Sequence, residues 1–259
     1  KLRRKYHVAD EYDYRENSIY KTYLACDAVS DEILLRNHYR CNKKIIDFNN
    51  KKYYNSKLQV QSDSRERQPL VYVNVDGGPG DMKNTSPAEV EEIMRYAGEN
   101  PDKSIAVITP FVNQRILIER GIKENGFEHV VCGTVHAFQG DEKDVVLFST
   151  ALSDRTGKGT YDWLKNNKEL INVATSRAKD KLILLADGKE LERLHQGNED
   201  DDLYELVQYV KMNGESKITE KHISSRALGI QPFSTETEAA FMKNLTHALE
   251  NIWLTRNKY

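Results

Sequence analysis

The sequence predicts an α/β fold in which a parallel sheet is covered by helices on both faces. The first observation is that short apolar segments alternate along the chain with amphipathic segments of helical period. The second is that most apolar segments are continuous, as expected for strands that are buried on both faces. Hydrophobic residues make up 39% of the 259 residues, which is enough for a packed core between the layers.

Composition and charge exclude several classes of protein. The chain has 38 basic and 40 acidic side chains, a formal net charge of −2, so it has no excess of basic residues to bind nucleic acid by bulk charge. Its three cysteines, Cys26, Cys41 and Cys132, show no paired spacing and indicate a reducing compartment. No apolar run approaches the roughly 18 to 20 residues that span a bilayer, and no signal peptide is evident. We therefore expect a soluble, cytoplasmic protein with no membrane partner.

The first part of the chain predicts a connector followed by α/β elements. Residues 1–29 are polar and rich in tyrosine, and the chain does not begin with methionine, so we expect them to connect to an upstream domain. Residues 32–35 (EILL) predict a strand, and residues 43–54 predict a helix. Residues 70–75 predict a further strand, which ends in a glycine-rich loop.

The middle of the chain continues the alternation. Ser86 and Pro87 predict a helix start, because serine caps helices and proline is favoured in the first turn. Further strands are predicted at residues 104–111, 129–135, 144–152 and 181–187, with helical segments at 113–124 and 170–178. Right-handed crossovers gather the loops at the carboxyl ends of such strands in one crevice. We therefore expect the chemistry at the carboxyl edge of the sheet.

The last part of the chain predicts helices outside this alternation. One helix carries an apolar stripe, and residues 211–217 (KMNGESK) predict a linker after it. Thr235 and Glu238 have capping-box spacing and predict a C-terminal helical extension. The predicted units are a connector at 1–29, an α/β domain at 30–195, an acidic helix and linker at 196–217, and a helical segment at 218–259.

The segment NHYRCN, residues 37–42, is the first candidate for chemistry. Arg40 could grip a phosphate with its guanidinium fork, and Tyr39 could offer an aromatic face to a flat ring. Taken alone, this short segment favours a simpler interpretation, a surface arginine beside a half-buried tyrosine.

Two later segments add further candidates. In residues 133–149, Gly140 permits close approach of backbone N–H groups to an anion, Gln139 can orient a water or a phosphate oxygen, and Glu142 can accept from a ribose hydroxyl. The alternative is a plain turn with solvated acids. In residues 170–187, Arg177 could stabilise charge on a transferring phosphoryl group. The alternative for Arg177 is a surface ion pair of little energetic value.

These three segments, in this order and at these spacings, resemble motifs IV, V and VI of superfamily 1 helicases, in the branch that includes the nonsense-mediated decay helicase. Residues 108–114 (ITPFVNQ) are also similar to a nucleic-acid-contacting segment of this branch. The resemblance covers residues 33–187. It implies the second of two RecA-like domains, which closes over ATP bound to the first.

The resemblance also implies roles for individual residues. Arg40 and Arg177 would contact the γ-phosphate, and Tyr39 would stack on the adenine. The motif V residues would be Gly140 near the γ-phosphate, Gln139 in coupling that phosphate to the second domain, and Glu142 at the ribose. Contacts to the nucleic-acid backbone are implied for Thr109, Thr134 and His136.

The implied cofactors are ATP and Mg²⁺, but the sequence holds only part of their site. It lacks the phosphate loop G-x-x-x-x-G-K-[ST] and the acidic pair that holds magnesium. The nearest match, TGKGT at residues 156–160, lacks both the upstream glycine and a hydroxyl residue directly after its lysine. We therefore expect an upstream RecA-like domain to supply both parts, and the 259 residues alone to be inactive.

Two other patterns have simpler explanations. The pairs with metal-like spacing lie inside the motifs already described, so no metal site is predicted: His38 with Cys41, and Cys132 with His136. Residues 233–249 are similar to the opening helix of restriction-endonuclease-like domains, with Glu238 as the early acidic residue. A plain capped helix is the favoured alternative for this segment.

The sequence thus predicts the C-terminal motor domain of an ATP-dependent helicase or translocase. Its nucleic-acid partner is predicted to be single-stranded DNA, favoured over RNA only because of the nuclease-like terminal segment. Two alternatives remain open, a non-catalytic nucleic-acid-binding module and a helicase-like part that positions a nuclease.

Overall fold

The computed structural model describes residues 5–13, 15, 17–26, 33–76, 82–134, 138, 142–197 and 200–219. The strands are β1 (Asn37–His38), β2 (Gln59–Val60), β3 (Leu70–Asn74), β4 (Ile105–Ile108), β5 (Val130–Gly133), β6 (Lys143–Ser149), β7 (Ala178–Ala186) and β8 (Glu215–Ile218). The helices are α1 (Ile19–Cys26), α2 (Lys43–Tyr53), α3 (Pro87–Glu99), α4 (Val112–Asn125), α5 (Lys158–Lys165), α6 (Lys168–Ser176), α7 (Gly188–His195) and α8 (Asp202–Asn213), with a 3₁₀ turn at Asp10–Tyr12.

Strands β3 to β8 form one sheet in the order β5-β4-β6-β7-β3-β8, and every neighbouring pair is parallel. Strands β1 and β2 form a separate two-stranded parallel pair. The predicted α/β fold with a parallel sheet is therefore confirmed. Parallel pairing requires a crossover between successive strands, which explains the alternation of helices and strands in the sequence.

Side chains of each central strand contribute to two cores, one on each face of the sheet. Tyr72 packs in the core that includes α2, α5, α6 and α8, whereas Val71 and Val73 pack in the core that includes α3 and α4. Successive residues of a strand point to opposite faces of the sheet. Because both faces are covered, all of these residues must be apolar. This explains the continuous apolar runs in the sequence.

Helix termini follow the capping chemistry expected from the sequence. The side chain of Ser86 accepts from the backbone N–H of Glu89 at 3.3 Å, and Pro87 follows it. Helix α4 ends at Gly126, whose φ of 67° is left-handed, a conformation that glycine adopts without the penalty of a Cβ.

Two expectations about secondary structure are wrong. Residues 33–36 form no strand, and Ile33 and Leu35 are each 83% exposed, so this apolar run is not part of the core. The predicted linker at 211–217 ends α8 and then forms edge strand β8, which pairs with β3. Gly214 permits this turn, because a Cβ there would lie 2.2 Å from the carbonyl oxygen of Leu70.

The predicted C-terminal helix lies outside the described residues. In the N-terminal segment the structure describes helix α1, and none of its residues is buried. Across the described ranges, no helix has the length and apolarity needed to cross a membrane.

Candidate nucleotide and nucleic-acid site

Arg40 and Glu142 come together at the amino edge of the sheet. The Nε of Arg40 donates to Oε2 of Glu142 at 2.8 Å, and its Nη1 lies 3.4 Å from the carbonyl oxygen of Ser176. Glu142 directly precedes β6, and Arg177 directly precedes β7. The backbone N–H of Lys143 donates to the carbonyl oxygen of Arg177 at 3.3 Å, which joins the two strand starts.

This position corrects the expectation that all the chemistry lies at the carboxyl edge. The nucleotide candidates Arg40, Glu142 and Arg177 lie at the amino edge, whereas Thr109 and Thr134 directly follow β4 and β5 at the carboxyl edge. The reason is topological: a connection between parallel strands runs from the carboxyl end of one to the amino end of the next. The segment after β5 therefore starts at one edge of the sheet and ends at the other.

The buried Cys41 thiol feels the charged groups of this cluster. Its Sγ is 3.2 Å from the carbonyl oxygen of Ser176. Burial raises the pKa of Cys41 to about 12, and Glu142 adds to the rise while Arg40 and Arg177 oppose it. Both guanidinium groups therefore act on one buried thiol, which stays neutral near pH 7.

In the segment that carries Arg40, a hydrogen bond fixes His38, whereas the ring of Tyr39 is exposed to solvent. Nε2 of His38 accepts from the backbone N–H of Cys41 at 3.0 Å. Burial, with a smaller contribution from Arg40, lowers the pKa of His38, which favours the neutral imidazole needed to accept that bond. Tyr39 is 67% exposed, so its ring is free to stack on a flat group.

A buried amide fixes helix α2, which follows Arg40, to helix α6, which precedes Arg177. The Nδ2 of Asn49 donates to Oδ1 of Asn172 at 2.8 Å and to Oγ1 of Thr175 at 2.7 Å. Asn49 is fully buried. Asn49 is not among the site residues predicted from the sequence, although asparagine at a core-facing helical position is an unusual choice that signals a required hydrogen bond.

The nucleic-acid candidates are only partly described. Thr109 is fully buried, its N–H donates to the carbonyl oxygen of Gly133 at 3.2 Å, and its hydroxyl lies 3.5 Å from the N–H of Phe111. Thr134 is partly exposed. Contact of the Thr109 side chain with a strand would require its surroundings to open. His136, Gln139 and Gly140 lie outside the described residues.

A second polar network, absent from the sequence predictions, is buried behind the carboxyl edge. Ser149 Oγ donates to Oε2 of Glu89 at 2.5 Å, and the backbone N–H of Ala151 lies 3.0 Å from both carboxylate oxygens. Gln114 accepts from the N–H of Ser86 at 2.9 Å and donates to Ser149 at 3.0 Å. Burial raises the pKa of Glu89 to about 8 despite these bonds.

The charges of the amino-edge cluster fit an anionic ligand. Its described side chains include two guanidinium groups, from Arg40 and Arg177, against the single carboxylate of Glu142. Guanidinium groups bind phosphate oxygens through two parallel N–H donors. Within the ranges that the structure describes, no group of three or more His, Cys, Asp or Glu side chains could hold a metal ion.

Comparison with known proteins gives a family match over more than half of the chain. Residues 16–189 match the sequence model of the AAA_12 family, described as an AAA domain. The chain is 28% identical over 197 residues to the 3′-5′ exoribonuclease HELZ2 of Mus musculus, covering 61% of this chain and 7% of that protein.

Two further relatives match the chain at a similar identity and over a small part of their own length. An uncharacterized ATP-dependent helicase of Methanocaldococcus jannaschii is 28% identical over 216 residues, covering 73% of this chain and 31% of that protein. The regulator of nonsense transcripts 1 homolog of Drosophila melanogaster is 27% identical over 182 residues, covering 59% of this chain and 15% of that protein. The chain thus spans less than a third of the length of these relatives.

Proposed function

The chain belongs to the AAA_12 family, the C-terminal part of superfamily 1 helicases, and on this premise we propose that it is the second motor domain of an ATP-dependent helicase or translocase. The observation that carries the proposal is the cluster of Arg40, Glu142 and Arg177 at one edge of the sheet. Such a cluster supplies cations for a phosphoryl group but no phosphate loop. The domain would therefore complete an ATP site whose other half lies on an upstream RecA-like domain.

The proposed roles follow from the placement of each side chain. Arg40 and Arg177 would hold the γ-phosphate and stabilise the charge that develops during its transfer. The exposed ring of Tyr39 would stack on the adenine, and Glu142 would orient Arg40 and contact the ribose. ATP supplies the phosphoryl group, and magnesium would be held by the upstream domain. In the segment resembling motif V, Gly140 would lie near the γ-phosphate, and Gln139 would couple that phosphate to the second domain.

Residues 1–29 are proposed to connect the two motor domains. Helix α1 supports this, because none of its residues is buried although several are apolar or aromatic. The side chains of Ile19, Tyr20 and Tyr23 are all exposed. Apolar side chains of this kind gain stability when they pack against another surface. Residues 30–195 would then form the core of the second motor domain, with β8 completing its sheet and α8 packing against its core.

The proposed nucleic-acid partner is a single strand, with DNA favoured over RNA. Thr134 and His136 would contact its backbone, together with Thr109 once the segment around it opens. The preference for DNA rests on the similarity of residues 233–249 to the opening helix of nuclease-like domains. A cytoplasmic location is proposed because Cys26, Cys41 and Cys132 are all free thiols, as expected in a reducing compartment.

Arg177→Ala in the full-length protein tests the proposal. If Arg177 stabilises charge mainly in the transition state, strand-stimulated ATP hydrolysis should lose about 10³-fold or more in kcat with ATP affinity nearly unchanged. Arg120→Ala is the matched control, because Arg120 is an exposed arginine on α4 outside the cluster. Loss of affinity without loss of kcat, or equal effects of the two variants, would contradict the proposed role.

A further inference from the structure

The indole of Trp163 lies beside the segment proposed to contact nucleic acid. Trp163 is on α5, and its ring centroid is 6.1 Å from that of Phe111, with an angle of 44° between the rings. Phe111 is two residues after Thr109, and its N–H is 3.5 Å from the Thr109 hydroxyl. The indole therefore stands close to the carboxyl end of β4.

Helix α5, which carries this indole, is anchored to the rest of the domain. Tyr161 and Leu164 are on either side of Trp163 in the sequence, and both are fully buried. The hydroxyl of Tyr161 donates to Oδ2 of Asp201 at 2.6 Å, which ties α5 to the start of α8. Because the helix is anchored, the backbone that carries the ring need not be ordered when a ligand binds, which lowers the cost of binding.

Part of the indole surface is open to solvent. Trp163 is 49% exposed. Gly159, one turn earlier on α5, is also exposed, and a Cβ placed on it would meet no atom within 4 Å, so the space beside this turn of the helix is open.

The charges near α5 suit a phosphate-bearing ligand. Lys158 is the first residue of α5 and Arg155 precedes the helix, and both are exposed together with the acidic Asp154. Asp162, directly before the tryptophan of α5, is paired with Lys165 at 2.9 Å, so its charge is offset within the helix. Proteins that hold single strands combine cations for the phosphates with aromatic rings on which bases stack, whatever the base.

We propose that Trp163 stacks on an unpaired base of the single strand bound by this domain. This inference rests on the proposed function and extends it, because Thr109, Thr134 and His136 were assigned contacts to the backbone of the strand only. The indole supplies a contact to a base. This stacking contact does not depend on which base is present, as a translocating motor requires.

The test measures strand affinity of the full-length protein with fluorescently labelled oligothymidylate and oligouridylate. Trp163→Ala should weaken binding by between about 5-fold and about 150-fold, the range for loss of one stacked base. Trp163→Phe should retain most of the affinity.

An abasic strand of the same length separates stacking from a structural effect. Trp163→Ala should bind this strand as tightly as wild type does, because no base is present to stack. Equal losses on both kinds of strand, or no loss on either, would overturn the stacking role. If wild-type protein binds strands and hydrolyses ATP but Trp163→Ala is neutral, only this inference fails. Absence of strand binding by wild type would overturn the proposed function as well.

Discussion

The guanidinium of Arg40 is bound to the carboxylate of Glu142 at 2.8 Å across 102 positions of sequence. This ion pair joins the segment resembling motif IV to the segment resembling motif V at the start of β6. Both side chains are partly exposed, so the pair contributes little to stability, about 0 to 1 kcal/mol. We therefore propose that its main effect is to orient Arg40.

The first prediction separates orientation from stability. Glu142→Ala should lower kcat/KM for ATP while changing the free energy of unfolding by less than about 1 kcal/mol. A double-mutant cycle with Arg40→Ala should show coupling in kcat/KM, because the second substitution removes a group that the first has already released. Glu119→Ala, which breaks the exposed Arg115–Glu119 pair on α4, is the control and should leave kcat/KM unchanged. Additive effects of Arg40→Ala and Glu142→Ala would count against the orienting role.

The second prediction concerns the buried amide of Asn49. Asn49→Ala should destabilise the fold by about 1 to 3 kcal/mol, because the substitution leaves Asn172 and Thr175 without their buried partner. It should also lower kcat, since α6 positions Arg177. Asn50→Ala is the control on the same helix, because Asn50 bonds instead to both backbone groups of Leu58. Denaturant unfolding and steady-state kinetics measure the two effects, and equal losses of kcat in both variants would contradict the assignment.

The third prediction concerns pH and Glu89. Its pKa in the folded protein is raised to about 8 by burial, so between about pH 5 and 8 the folded state binds a proton that the unfolded state releases. Stability from this group is therefore present at low pH and lost as pH rises towards 8, with a slope of at most about 1.4 kcal/mol per pH unit. Glu89→Gln should flatten this part of the profile of unfolding free energy against pH. An unchanged slope in the variant would show that another group titrates.

The fourth prediction concerns coupling between the two ligands. The segment from Thr134 to Glu142 joins the carboxyl edge to the amino edge of the sheet, and Phe138 within it is buried in the core. A segment that contacts both ligands should couple their binding reciprocally. Gln139→Ala should remove most of the effect of a non-hydrolysable ATP analogue on strand affinity and leave each separate affinity largely intact. Coupling equal to wild type would return Gln139 to a simple turn residue.

The sequence was sufficient to predict those strands and helix ends that depend on the chemistry of neighbouring residues. The continuous apolar runs identified β3, β4, β6 and β7, and Ser86 with Pro87 identified the start of α3, because strand burial and helix capping depend on nearby residues. The order and spacing of the motif residues led to the family, which the match over residues 16–189 confirms. The roles of the individual site residues remain predictions.

Only the tertiary structure could decide which residues meet. Residues 33–35 are apolar enough for a strand but find no strand partner, whereas the polar segment Glu215–Ile218 becomes a strand because Gly214 lets it approach Leu70 and pair with β3. The ion pair of Arg40 with Glu142, and the placement of both at the amino edge, likewise depend on where crossovers return the chain. Sequence fixes which groups are available through local propensity, and long-range packing decides which of them come within hydrogen-bonding distance.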